Sequence, residues 1–430
     1  VRSRWVLRIE PSTSLLYSHS SHQYLRCDRA ETFLLTAAAT MPVEVAQRVL
    51  AREVGDQRAR RALKALRTKG LFRRSQRFNG RILELPATAG AFAAPLVAHI
   101  GLTGACNFSC RHCYARLERA PVATPDLATL VRLFDQLHDI GCCKVVLGGG
   151  EPLLRADFSD VVAAARRRGL DCFVHTNGSL LQRSVIEQLA LSPPAGLAVS
   201  LDGPDAVSND AIRGAGAFVA ARRGLTLLRR HYRPGFNINF TVTPGNAHLA
   251  GRMVDLTERV GARVLLLRPA YPAGQALRQH GIACDQATFA AAVEIARRRA
   301  EQRGVDVDAA LPSARAIPGF DGFGCVAGRV VLGVAPDGSV TPCLNLPTRF
   351  AAGNIASTPL IDIWRRGASF RALRRLRRPT QCRHCEHYAS CRGGCRTRAL
   401  VERGAIGERD SWCALVDAAM PAKSKRSALE

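Results

Sequence analysis

Val97-Ala98-His99-Ile100-Gly101-Leu102-Thr103-Gly104-Ala105-Cys106-Asn107-Phe108-Ser109-Cys110-Arg111-His112-Cys113 runs from an apolar, strand-like segment into three cysteines. The C-x3-C-x2-C spacing lets Cys106, Cys110 and Cys113 each give a thiolate to one iron-sulfur cube. Four cysteines complete an electron-transfer cluster. Three leave one iron without a protein ligand, open to bind a small molecule and do chemistry on it. That asymmetry points to an enzyme.

Outward from this stretch, strands and helices alternate. Strand-like runs fall at 97–102, 144–147, 171–175, 196–201, 237–242 and 263–267. Helical runs at 127–138, 158–168, 185–190, 217–230 and 249–260 lie between them. Such βα repetition predicts an α/β fold with a parallel sheet and helices outside. Six units over residues 96–310 predict a partial (β/α)6 TIM-like barrel. Functional residues then belong at the C-terminal ends of the strands. The triad follows the first strand there, and Gly148-Gly149-Gly150-Glu151-Pro152 follows the second. Glycines let a backbone approach a ligand closely, and exposed backbone groups with the Glu151 carboxylate can hold an ammonium group. A simple tight turn is the plain alternative.

Residues 1–80 read as a small winged-helix-like module: β-like pieces at 5–9 and 23–27, helices at 43–54 and 56–69, and a returning strand at 71–73. Asp56 is the expected cap of the second helix, and Gly70 closes it. An Ala/Gly/Pro-rich loop at 85–95 separates the module from the barrel. From residue 320 to 418 cysteines dominate and periodicity weakens; the tail after 420 is polar.

Composition sets bounds. The 430 residues suffice for two or three domains. No apolar run reaches a membrane span, and residues 1–5 lack a secretory signal pattern, so a cytoplasmic location is expected. Fifteen cysteines in tight groups suit metal or cluster ligation better than a disulfide framework. The net charge of +26 predicts anionic partners. An acidic peptide or a small acidic electron carrier fits. Nucleic acid fits less well, because no basic stripe is interleaved with aromatics. Only five of the 61 basic residues are lysine, Lys64, Lys69, Lys144, Lys423 and Lys425.

The triad and the glycine-glutamate run together resemble the radical S-adenosylmethionine superfamily. The resemblance implies a [4Fe–4S] cluster on Cys106, Cys110 and Cys113, with the methionine part of S-adenosylmethionine on its open iron. It places Gly149, Gly150 and Glu151 beside the cofactor's amino group and His112 near the adenine. Asn177, in Thr176-Asn177-Gly178, is a further cofactor-side residue. Ser200 matches the ribose contact and Arg213 a carboxylate contact; a strand-end cap and a surface charge are their plain alternatives.

The later cysteines, Cys325, Cys343, Cys382, Cys385, Cys391, Cys395 and Cys413, resemble the SPASM extension of peptide-modifying radical enzymes. It implies two auxiliary iron-sulfur clusters, one on Cys382, Cys385, Cys391 and Cys413, the other on Cys325, Cys343 and Cys395. A zinc ribbon is the competing reading. Many members carry a further cysteine near Leu332. Its absence leaves the second set with three obvious ligands, and Cys284 is a weak candidate for a fourth. Cys27, Cys142, Cys143 and Cys172 read as small core residues.

Phrases such as 148–152, 207–216, 327–331 and Ser390-Cys391-Arg392-Gly393-Gly394-Cys395 are most similar to coenzyme PQQ and mycofactocin maturases. The N-terminal module is similar to the PqqD-like domain that holds a precursor peptide's leader by strand addition; a DNA-binding winged helix is the alternative. The resemblance implies a cytoplasmic enzyme that cross-links or decarboxylates a ribosomally made peptide, with flavodoxin or ferredoxin as electron donor. Enzymes acting on sulfatases or tetrapyrroles share parts of the cysteine pattern. A non-catalytic binding protein with structural clusters is a third reading. His175, Asp202 and Tyr271 sit at strand ends without a secure acid or base role.

Overall fold

The structure is a computed structural model that describes residues 4–11, 13–72, 76–114, 123–309 and 324–413. The N-terminal unit is a four-stranded sheet covered by three helices. β1 (Trp5–Glu10), β2 (Thr13–Ser18) and β3 (Gln23–Cys27) form an antiparallel meander. Helices α1 (Arg29–Ala37), α2 (Val43–Val54) and α3 (Asp56–Thr68) follow. β4 (Arg81–Glu84) then pairs parallel with β1, giving the order β3-β2-β1-β4.

Three details differ from the sequence reading. The returning strand is β4; Leu71 and Phe72 are not in a strand, and residue 73 lies outside the described residues. Asp56 is the first residue of α3, and the N-cap is Gly55 with no side-chain cap. The sequence reading had no β2 and no α1. Yet α1 opens on a full capping box, in which Asp28 accepts from the Glu31 N–H and Glu31 accepts from the Asp28 N–H.

The barrel sheet runs through β5 (Val97–Thr103), β6 (Lys144–Gly149), β7 (Asp171–Thr176), β8 (Gly196–Ser200), β9 (Asn237–Val242) and β10 (Val264–Pro269), all parallel. α4 (Leu127–Asp139), α5 (Phe158–Arg167), α6 (Arg183–Leu191), α7 (Ala206–Arg213), α8 (Ala217–His231), α9 (Ala250–Val260) and α10 (Gln286–Arg303) connect and cover them. β11 (Asp306–Asp308) extends the sheet beyond β10. At the other edge, β12 (Val331–Val334) pairs parallel with β5 and β13 (Val340–Thr341) antiparallel with β12. The nine-stranded sheet ends on β11 and β13, so the barrel is partial. Side chains alternate across each strand. Ile100, Leu147, Val174, Phe240 and Leu267 pack beneath the helices with Phe134. His99, His175, Asn239 and Arg268 belong to the opposite, inner face. α11 (Leu360–Arg366), α12 (Ala368–Arg374), α13 (Tyr388–Cys391) and α14 (Arg396–Arg403) complete the cysteine-rich region. No helix among the described residues is long and apolar enough to cross a membrane.

The N-terminal unit is locked onto the barrel. Arg8 is fully buried and donates to the carbonyls of Pro95, Gly141 and Ala94 and to Glu10. The 85–95 loop is part of this joint: the Phe92 carbonyl accepts from Trp364 and its N–H donates to the Arg329 carbonyl. At the foot of β7, buried Asp171 accepts from Tyr17 (2.6 Å), His19 (3.1 Å), His22 (2.7 Å) and Arg166 (2.9 Å). Burial alone raises a carboxyl pKa, but these donors outweigh it and hold Asp171 well below the usual range. Asp171→Ala leaves the donors unpaired at the joint. We expect a loss of about 3–5 kcal/mol in chemical denaturation, with a separate early transition for the N-terminal unit.

Candidate active site and cysteine sets

The loop after β5 carries Cys106, Cys110 and Cys113 and is stitched to the loop after β6. The Gly150 N–H donates to the Thr103 carbonyl (2.7 Å), and the Glu151 N–H to the Ala105 carbonyl (2.8 Å). A Cβ on Gly150 would stand 2.0 Å from the Ala105 oxygen, and Gly149 has φ +114°. These glycines therefore serve the close approach of two loops, which a simple turn would not require.

Glu151 is 1 % exposed. Its carboxylate accepts from the Leu153 N–H (3.1 Å), Thr176 Oγ1 (2.6 Å) and the Asn177 N–H (2.7 Å). Burial raises its pKa. Three of roughly four acceptor positions are spent tying the end of β6 to the end of β7, which leaves little of the carboxylate for an ammonium group. The Asn177 amide donates to Asn107 Oδ1 (2.8 Å), inside the triad loop. Ser200 ends β8 in register with Asn239 of β9.

Asp202, just past β8, is fully buried. Its Oδ2 lies 2.5 Å from His112 Nε2 and 2.6 Å from Arg213 Nε, and its Oδ1 accepts from the Thr241 N–H (2.9 Å). The Arg213 contact is an ion pair without hydrogen-bond alignment. Burial raises Asp202, but Arg213 and His112 outweigh it and hold the carboxyl at about 2. The sequence treated His112 and Arg213 as two separate contacts and Asp202 as an uncertain strand-end residue. In the fold one buried carboxylate orients both. Burial pushes the Cys110 thiol up to about 11 and also raises Cys106, while Arg213 favours the thiolate of each. Ligation requires thiolates, so a bound cation would supply the remaining stabilisation.

The later cysteines fall into two sets. Burial raises the Cys382 thiol, and nearby Cys413, Cys385 and Cys391 raise it further. Burial pushes Cys343 up to about 12, with Cys325 and Cys395 adding to it. No three His, Cys, Asp or Glu side chains among the described residues converge on a single-ion site. Tetrahedral zinc needs donors at about 2.3 Å from one centre. A cluster takes each thiolate on a different iron, so the donor sets fit clusters better than zinc. Cys284 packs in the barrel core with Asp285 and Arg398 as charged neighbours, and Arg398 is also a charged neighbour of Cys395. Leu332 is a fully buried residue of β12.

Two groups were missed wholly or in part by the sequence reading, which had neither Asp410 nor His99 and named His175 only as a strand-end residue. Asp410 accepts from Arg398 through both oxygens (2.7 and 2.6 Å) and from the Cys395 N–H (2.7 Å), and its carbonyl accepts from the Cys413 N–H (3.2 Å). It ties one cysteine of each set together. The second group is on the inner barrel face. Burial pushes His99 down to about 4, and burial with Arg268 and His99 does the same to His175. Strand alternation alone could have placed His99 beside the His175 already named. Their folded pKa values lie below the unfolded value of about 6.5, so the unfolded chain binds more protons over that window. Stability is then complete above about pH 6.5 and falls as pH drops toward 4. Melting temperature measured across this range should show that slope, and His175→Asn should flatten it.

The radical SAM superfamily profile matches residues 100–248, and that of the SPASM iron-sulfur cluster-binding domain matches 325–386. The AdoMet-dependent heme synthase of Nitratidesulfovibrio vulgaris is 32% identical over 70% of this chain and 88% of its own length. The mycofactocin maturase MftC of Mycobacterium ulcerans is 33% identical over 70% of this chain and 83% of its own. Among solved structures, Streptococcus suis SuiB bound to S-adenosylmethionine superposes with a TM-score of 0.77 at 20% identity, over 96% of this chain and 99% of SuiB. SuiB bound to its precursor peptide SuiA gives 0.76 at 18% identity, over 96% of this chain and 100% of that one.

Proposed function

The chain belongs to the radical SAM superfamily and carries its SPASM extension, and from that premise we propose that it oxidatively modifies a ribosomally made precursor peptide. It is a radical S-adenosylmethionine enzyme whose cofactors are S-adenosylmethionine, one [4Fe–4S] cluster and auxiliary clusters. When bound, the cofactors would supply radical hydrogen-abstraction chemistry and an electron acceptor for the oxidation of the substrate.

The protein's part is to bind and orient. Cys106, Cys110 and Cys113 hold the first cluster. Asn177 and Glu151 fix the loops around that site, and the Gly149–Gly150 backbone would receive the cofactor's amino group. Asp202 sets the positions of His112 and Arg213, the latter for the cofactor carboxylate. Ser200, at the end of β8, would contact the ribose. Cys382, Cys385, Cys391 and Cys413 hold one auxiliary cluster, and Cys325, Cys343 and Cys395 the other. Cross-linking or decarboxylation is the outcome, with flavodoxin or ferredoxin as the external donor and the cytoplasm as the location.

One observation carries the peptide reading: a sheet edge locked beside the barrel. β3 pairs only with β2 among the described strands, so its outer edge can take an added strand. In the same unit, α3 presents Arg60, Arg61 and Lys64 with Asp56 and Gln57 around a cavity of about 360 Å³; three cations against one carboxylate favour an acidic leader. The heme synthase relatives support a tetrapyrrole as the second reading, but a tetrapyrrole has no use for a strand edge. Fluorescence anisotropy with a labelled acidic precursor peptide tests this. Arg61→Glu with Lys64→Glu should weaken binding about tenfold or more. Wild-type protein that turns over a porphyrin precursor and binds no peptide would favour the second reading.

A further inference from the structure

A cavity of about 410 Å³ opens in the cysteine-rich region, lined by Arg329, Arg374, Arg377, Arg392, Arg396 and Cys325. Among the described residues no aspartate or glutamate lines it. Arg329, Arg374 and Arg396 are held by carbonyls, not carboxylates. Arg329 donates to Gly90, Leu373 and Arg374, Arg374 to Gly328 and Trp364, and Arg396 to Gly394, Ile406 and Glu408. The Nη2 atoms of Arg374 and Arg396 are buried with no hydrogen-bond partner. Like charges held this close cost stability until an anion arrives.

The cavity touches one auxiliary cysteine set directly and lies next in sequence to a cysteine of the other. Cys325 forms part of its wall, and Tyr388 and Arg392 in the wall flank Cys391. It shares no residue with the triad, Glu151, Asn177, Asp202 or Arg213, so it is not the place where substrate meets the radical. Neither Cys343 nor Cys395 lines it, so it is more than the space between the three thiols of that set.

We propose that this arginine-walled cavity docks the acidic surface of a one-electron carrier of flavodoxin or ferredoxin type. The carrier there draws electrons from the auxiliary cluster that Cys325 helps to hold. One electron leaves the reduced cluster and enters the oxidised carrier, and no bond is made or broken. The inference rests on the ligand sets given under the proposed function. Charge complementarity calls for an acidic partner, and the Cys325 wall favours one that carries electrons.

The test mixes anaerobically reconstituted full-length protein, reduced with dithionite and desalted, with oxidised flavodoxin in a stopped-flow instrument. It contains no peptide and no S-adenosylmethionine, so its failure is separable from failure of the peptide reading. Arg377 and Arg392 are exposed at the rim. Arg392 has φ 52°, a conformation that asparagine tolerates. Arg377→Gln with Arg392→Asn should slow flavodoxin reduction about tenfold or more at low salt and flatten its salt dependence. Iron content and the rate of reduction by dithionite should not change. Arg377→Lys should keep most of the rate. Unchanged rates in the double variant would overturn the proposal. So would equal slowing by dithionite, or binding of inorganic phosphate that does not compete with flavodoxin.

Discussion

Cys110→Ala, and equally Cys106→Ala or Cys113→Ala, should reduce 5′-deoxyadenosine formation to background in anaerobic assays with dithionite and S-adenosylmethionine. The expectation is this severe because the neighbouring polar groups among the described residues are already engaged. The carboxylate of Glu151 is occupied by Leu153, Thr176 and Asn177. His112 Nε2 and Arg213 are engaged by Asp202. Removing one thiol leaves two, and neither neighbouring group can replace it without breaking a buried pair. Cys110 is also buried on the strand-end side, so its loss leaves a gap as well as a missing ligand. Iron bound elsewhere should be retained, and spectroscopy should show the auxiliary signals without the triad's. Cleavage that survives in any of the three variants would mean that the triad is misassigned.

Asp410→Ala should have the second largest effect, and it should fall on the other two sites together. Asp410 is 5 % exposed. It is the acceptor for the Arg398 guanidinium, the Cys395 N–H and, through its backbone, the Cys413 N–H. Arg398 lies 4.0 Å from the Trp412 ring centroid and 5.5 Å from that of Tyr271. Removing the carboxylate strands a buried guanidinium, which costs about 3–5 kcal/mol. The Cys395 N–H loses its acceptor at the same time. Gly394 packs so close that a Cβ there would lie 2.3 Å from the Asp410 Cβ, so the turn before Cys395 depends on this contact. The expected result is loss of most auxiliary iron and a lower melting temperature, with the triad's cluster kept. Full iron in Asp410→Ala would show that the two sets are positioned independently of it.

The barrel strands and the triad were legible because their signals are local. Alternation marks a strand such as 237–242, and the cysteine spacing marks a shared ligand. The two later cysteine sets were also readable as patterns, though only the fold shows which thiols stand near which. What was not legible depends on approach across the chain. Asp171 is an ordinary first residue of β7 until Tyr17, His19 and His22 converge on it. Asp202 looks like a strand-end acid until His112 and Arg213 close on it. β2 was missed although β1 and β3 were found, and α1 was missed despite its capping box. α10 was missed because its interior is rich in alanine and arginine, with little apolar contrast between faces. The 85–95 loop read as a spacer because its composition is that of one; only the Trp364 and Arg329 contacts make it a joint.

The most direct test of the account uses the anaerobically reconstituted full-length protein with dithionite and S-adenosylmethionine, and measures 5′-deoxyadenosine and methionine against iron content. The account predicts both products in equal amounts, from protein that holds more iron than one four-iron cluster explains. Protein with that iron content that yields no 5′-deoxyadenosine would contradict it.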